Sequence, residues 1–193
     1  MINTTKFVNG HIDVLNEQGL RKGYTLPRKE VHEKGEIHRA VHLYLFDKKG
    51  SNLLLQKRTA TVDHYPNKYS ISVVGHVNAG EYSHMAVKRE LKEELGIDAD
   101  QLDIAFLFSF RQDATLSPTY IDRQINDLYI CYMDQEKDIK FNKKDVKTIE
   151  WVPFEKFQSM VEDASIGQGD LAPVYAHSCK NLIYFLAHKH TKY

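Results

Sequence analysis

Two hydrophobic rhythms run along this chain. In residues 39–46 (RAVHLYLF) and 52–58 (NLLLQKR), apolar side chains crowd into short runs on either side of Asp47-Lys48-Lys49-Gly50. Runs of that length around a turn ending in glycine predict a β-hairpin. Short strands are also predicted over residues 11–17, 69–74 (broken at Gly75), 103–111, 127–133 and 147–152. Between Ser83 and Leu95 the rhythm changes, because Val87, Leu91 and Leu95 recur every four residues, as one face of a helix does. Ser83 stands where an N-cap belongs and Gly96 where a helix-ending glycine belongs. Two more helices are predicted near residues 153–163 and 173–189. Strands mixed with helices predict an α/β (α+β mixed) class, with a mixed sheet covered on both faces.

Composition narrows the range of functions more than it identifies one. A chain of 193 residues with 42% hydrophobic side chains suits one domain, from an N-terminal strand within about residues 1–30 to the helix at 173–189. Lys plus Arg and Asp plus Glu are 26 each, so no net field draws the chain to nucleic acid or an acidic membrane. Expected partners are therefore neither nucleic acid nor membrane. The two cysteines, Cys131 and Cys179, fit no metal or redox spacing. Cys131 sits in an apolar run and reads as a small buried residue. Without an apolar leader or a disulfide framework, the expected compartment is the cytoplasm.

Chemistry concentrates in GHVNAGEYSHMAVKRELKEELGI, residues 75–97. On a helix, Glu90 and Glu94 project from one side, and Glu93 lies about 60° to the other side of Glu90. Arg89 and Glu93 are four apart and can pair. Clustered carboxylates repel one another unless a cation neutralises them. Mg²⁺ suits such a cluster, since it takes oxygen ligands and shares them with phosphates. Taken alone, KRELKEEL is also ordinary vocabulary for a solvated helix face, so the flanking residues decide.

Those flanks complete the pattern G-x5-E-x7-R-E-U-x-E-E-x-G-U (U apolar) through Gly75, Glu81, Arg89, Glu90, Leu91, Glu93, Glu94, Gly96 and Ile97. Seven fixed types at roughly one in fifteen each give a chance match on the order of 10⁻⁸ per starting position. The segment is identified as a Nudix box. The resemblance implies a Nudix fold, an α/β/α sandwich with a loop–helix–loop motif. It also implies hydrolysis of a small-molecule diphosphate by water attack on phosphorus, with Mg²⁺ as cofactor and Mn²⁺ as a substitute. It makes Glu90, Glu93 and Glu94 metal-binding carboxylates, with Glu93 or Glu94 favoured as general base. The Gly75 carbonyl becomes a further ligand, and Arg89 with Glu81 a structural pair bracing the loop. Dimers are common in the family, which leaves room for a homodimer.

Beyond the box, GEIHRAVHLYLFD, LLLQKR and NKYSISVVGHVNAGE resemble the branch containing isopentenyl-diphosphate isomerases and their hydrolase-like relatives. Those isomerases hold a divalent metal with three histidines and carboxylates, and His32, His38 and His76 fall at approximately matching places. Their proton transfer needs a cysteine just before the Gly-His or Ser-His pair, where this chain has Val74. A valine transfers no proton, so hydrolysis is expected rather than isomerisation. An intact box likewise argues against a non-catalytic sensor. Further candidates are Arg58 for a substrate phosphate and Asp127, introduced with Gln124 at the head of a strand, for a metal-directed carboxylate. Tyr65, Phe110, Arg111 and Tyr120 could shape a pocket, and Trp151 is expected in the core. No role is assigned to His42, His64 or His84.

Overall fold

The computed structural model describes residues 8–62, 64–135, 138–144 and 146–188. The first residues of the expected N-terminal segment and the end of the expected C-terminal helix lie outside the described residues. Among the described residues are ten strands and four α-helices: β1 (Val8–Leu15), β2 (Arg21–Pro27), α1 (Arg28–Lys34), β3 (Ile37–Asp47), β4 (Asn52–Arg58), β5 (Tyr69–Ser70), β6 (Val73–His76), β7 (Asn78–Ala79), α2 (Ser83–Leu95), β8 (Ala105–Ser117), β9 (Tyr120–Met133), β10 (Val146–Pro153), α3 (Phe154–Ser165) and α4 (Ala176–His188).

β3 organises the sheet. One edge runs parallel to β9 along its whole length, from Ile37 beside Arg123 to Asp47 beside Met133. The antiparallel partners share the other edge: β1 at Ile37, β6 over Ala40–Leu43 and β4 at Phe46. The result is a mixed sheet, as the sequence pattern predicts. At the β3–β4 turn, Gly50 takes φ 71° and its N–H donates to the Asp47 carbonyl at 2.9 Å. The Asp47 carboxylate accepts the Ser51 N–H at 2.7 Å, closing the turn.

Strand alternation sends successive side chains to opposite faces. On one face Tyr44, Phe46, Leu128 and Ile130 pack under Phe157 and Val161 of α3 and Cys179 and Leu182 of α4. On the other, Val41, Leu43, Leu45 and Cys131 meet Val87, Leu91 and Leu95 of α2. Helices thus cover both faces in an α/β/α sandwich. Trp151 is partly buried against the α2 side.

Several elements depart from the expected boundaries. β8 and β9 form a hairpin from Ala105 to Met133, much longer than the two stretches predicted, because polar residues at 112–126 mask the strand rhythm. α1 has seven residues, too few to show a helical period. Tyr82, not Ser83, is the N-cap of α2. Ser83 is already helical, and its hydroxyl pairs with the Tyr129 hydroxyl at 2.7 Å, which removes it from the cap. No described helix is long and apolar enough to cross a membrane.

Candidate functional site

Burying Leu91 and Leu95 against the sheet fixes the rotation of α2, and the glutamate sector falls at the rim of a cavity of about 650 Å³. Glu90, Glu93 and Glu94 all line it, with the Glu90 side chain 14% exposed and that of Glu93 59%. Arg89 gathers the surrounding charge. Its guanidinium contacts both Glu81 carboxylate oxygens at 2.9 and 3.0 Å, Glu90 at 2.6 Å and Glu93 at 3.2 Å. It also donates to the His76 carbonyl at 2.8 Å, tying α2 to the end of β6. Burial works against the Arg89 charge, yet Glu81 and Glu90 outweigh it and raise its pKa. Burial pushes the Glu90 carboxyl above its usual range, with Arg89 opposing. Burial thus penalises the charged form of Glu90, a penalty that a bound cation would offset.

Gly75 is buried, and a methyl group built on it would overlap the Glu90 carboxyl group. The position needs glycine for the close approach of backbone and carboxylate, not for an unusual φ. Gly75→Ala keeps the carbonyl but should displace Glu90 and weaken divalent-cation binding roughly tenfold or more. Calorimetric titration with Mn²⁺ checks this; unchanged affinity would show that Glu90 does not depend on that space.

A second donor cluster adjoins the same cavity, which two of its members, His76 and Asp122, line. His32 from α1, His38 from β3, His76 from β6 and Asp122 from β9 bring four ligand atoms within 4.8 Å of one another. His32 Nδ1 lies 2.7 Å from the Arg28 carbonyl and His38 Nδ1 lies 3.0 Å from the Glu36 carbonyl. A carbonyl only accepts, so both Nδ1 atoms carry a proton, and the neutral form of each ring presents its lone pair on Nε2. Those Nε2 atoms sit 3.5 Å from Asp122 Oδ1, which is buried and makes no hydrogen bond. His76 Nε2 lies 3.2 Å from His32 Nε2. Burial lowers the pKa of His38 to about 4 and that of His76 well below its usual value, which keeps both rings neutral. Backbone-anchored tautomers with converging lone pairs fit a divalent cation, and so does the unpartnered carboxylate oxygen. The residues present therefore suit the metal that the sequence resemblance implies.

Arg28, Arg58 and Lys144 supply positive charge to the cavity wall, and Tyr65, Tyr120 and Tyr175 supply rings. Arg58 is braced by donating from Nε to the His64 carbonyl at 3.0 Å. His64 also lines the cavity and packs edge-on against Tyr120 at 4.3 Å. Val74 lines the wall as well.

Asp127 lies elsewhere. Its carboxylate binds Arg39 at 2.6 Å and Ser109 at 2.6 Å, beside a separate cavity of about 370 Å³. The reason is parity: β9 runs from Tyr120, so Asp122, Gln124 and Asn126 share the face of Leu128, while Asp127 takes the face of Tyr129. The sequence reading missed Asp122 because it left residues 120–126 outside any strand. A two-residue alternation carried back from Leu128 would have found it. Arg111 pairs with Asp113, and Phe110 packs into the core beside His42. His42 is buried, with Nδ1 2.8 Å from the Ser178 hydroxyl, and His84 stacks on exposed Tyr82.

Comparison with known proteins bears on the family and the fold. The profile of the NUDIX domain matches residues 36–174. "Nudix hydrolase 3" of Arabidopsis thaliana is 34% identical over 155 residues, 78% of this chain, although the chain spans only 20% of that protein's length. "Isopentenyl-diphosphate Delta-isomerase 2" of Photorhabdus laumondii is 34% identical over 137 residues, covering 71% of this chain and 74% of the relative. Among solved structures, DR0079 from Deinococcus radiodurans superposes with a TM-score of 0.70 at 24% identity, over 89% of this chain and 98% of its own. That likeness is one of fold. With the family profile spanning most of the chain and two curated relatives above 30% identity, the chain belongs to the NUDIX domain family, the superfamily of the Nudix hydrolases.

Proposed function

We propose that this chain is a divalent-metal-dependent pyrophosphohydrolase that cleaves a diphosphate linkage, in a nucleoside diphosphate derivative or a related compound, by water attack on phosphorus. The observation that carries this reading is the convergence on one cavity of the Glu90, Glu93 and Glu94 carboxylates, of His76 and Asp122 from the adjoining histidine–Asp122 centre, and of Arg28, Arg58 and Lys144. Mg²⁺, or Mn²⁺ in its place, would be held by Glu90, Glu93, Glu94 and the Gly75 carbonyl, and would neutralise phosphoryl oxygens and lower the pKa of the attacking water. Glu93 or Glu94 takes up the proton that the water releases. Arg28, Arg58 and Lys144 hold the phosphates, and Arg89 with Glu81 keeps the helix and loop in register. Two buried free thiols, Cys131 and Cys179, each raised to about 12 by burial, support a reducing cytosol as its location.

A second reading, isomerisation of an isopentenyl diphosphate, is favoured by the His32, His38, His76 and Asp122 centre and opposed by Val74 in the cavity wall. One assay separates the two. Diphosphate compounds (nucleoside di- and triphosphates, nucleotide sugars, dinucleoside polyphosphates, coenzymes and isoprenoid diphosphates) are incubated with Mg²⁺ or Mn²⁺ and the products identified. The expected result is hydrolysis that chelation stops and added Mg²⁺ restores, with no dimethylallyl isomer from isopentenyl diphosphate. Isomer formation without hydrolysis of any compound would reverse the assignment.

A further inference from the structure

Arg89 gathers Glu81, Glu90 and Glu93, whereas Glu94 is tied to the sheet. Gln56 on β4 is 6% exposed, and its side-chain nitrogen donates to Glu94 Oε2 at 2.7 Å and to the Ser72 carbonyl at 2.6 Å. An amide nitrogen has two protons, and both are used. The bond to a carbonyl also settles which end of the amide faces Glu94, since only the NH₂ end can donate. Ser72 is itself immobilised. Its hydroxyl accepts the Leu45 N–H at 2.8 Å and donates to the Leu54 carbonyl at 2.6 Å. A chain of hydrogen bonds therefore runs from the backbone of β3 and β4 through Ser72 and Gln56 to one oxygen of Glu94.

From this geometry we infer that Gln56 is a positioning residue, aiming the Glu94 carboxylate into the cavity without neutralising it. The inference rests on the reading of Glu94 as a cation ligand. A lysine or arginine at position 56 would also orient the carboxylate, but its positive charge would compete with the bound cation. A neutral donor fixes direction and leaves the negative charge available. Holding one oxygen from the sheet also removes rotamer freedom that the side chain would otherwise lose on binding.

The test compares wild type with E94Q, Q56L, Q56N and Q56K by Mn²⁺ titration without substrate, using calorimetry or the electron paramagnetic resonance of free Mn²⁺. E94Q assigns the binding phase that depends on the helix. In that phase Q56L and Q56N should weaken Mn²⁺ roughly tenfold. Q56K should weaken it more than Q56L although it retains a donor, an order that a merely structural role would not produce. In Q56L hydrolysis the Mg²⁺ needed for half-maximal rate should rise, and kcat should recover at saturating Mg²⁺. Wild-type affinity in Q56L, Q56N and Q56K alongside weakened E94Q overturns the role of Gln56. Unchanged affinity in E94Q overturns the cation site on the helix and the inference with it. Because the main readout is binding, a failure to find any hydrolysed substrate would sink the hydrolase reading and leave this one standing.

Discussion

Glu94→Gln should lower Mg²⁺-dependent hydrolysis by a factor of about 100 or more, within the range that one general acid–base group or one preorganised charge contributes. Its unfolding midpoint should stay close to wild type. The substitution is nearly isosteric, and the oxygen of the new side-chain amide can still accept from Gln56, so the tether to the sheet survives while the charge is lost. Glu93→Gln should behave similarly in rate, although this side chain is 59% exposed and paired with Arg89, so its neighbours constrain it less. Both single variants and the double variant are compared by initial rates over a range of Mg²⁺ and by thermal unfolding with chelator. Without divalent cations the double variant should be no less stable than wild type, since it removes repulsion between neighbouring carboxylates. Wild-type hydrolysis in the double variant would sink the mechanism.

Acid should destabilise this protein through its buried neutral histidines, His38, His42 and His76, and His42, which stands outside the donor cluster, isolates the effect. The ring is buried under α4, and burial lowers its pKa from 6.5 to about 4. Above pH 6.5 the ring is neutral in both folded and unfolded chains and stability does not depend on it. Below that value the unfolded chain takes up a proton that the folded chain refuses, so stability is lost as pH falls from about 6.5 to about 4 and levels off beyond. The full loss is about 3 kcal/mol at 1.36 kcal/mol per pKa unit, large against the 5–15 kcal/mol of a typical fold. Urea unfolding of wild type and His42→Gln at pH 7.5 and 4.5 measures most of that share as the difference between their drops. His42→Gln, which has no proton to gain, should show a smaller drop between the two pH values, and an equal drop would assign the acid sensitivity to other groups.

Much of the chemistry was legible in the sequence because it is local. Gly75, Glu81, Arg89, Glu90, Glu93 and Glu94 lie within one loop and one helix, where spacing alone fixes which side chains are neighbours. The layer architecture was legible for the same reason, from the four-residue period of α2 and the apolar runs of β3 and β4. What could not be read depends on pairing between distant segments. Asp122 joins the histidines only because β9 extends back to Tyr120, and polar residues hid that extension. Asp127 was the carboxylate the sequence offered, yet it stands five positions beyond Asp122, an odd step that puts it on the opposite face of the strand. Gln56 was unremarkable within LLLQKR until the hydrogen bonds of Ser72 gave its amide a direction.

The parallel pairing of β3 with β9 has a kinetic consequence. His38 sits beside Gln124, 86 positions along the chain, and the same pairing delivers Asp122 to the histidines. Closing so long a loop is slow and precedes any reward from the contacts it makes. The four donors come from α1, β3, β6 and β9, so the cluster does not exist until that closure is complete. A cation held there would bind the completed cluster and so the native chain alone. It would then lengthen the lifetime of the native state rather than hasten its arrival.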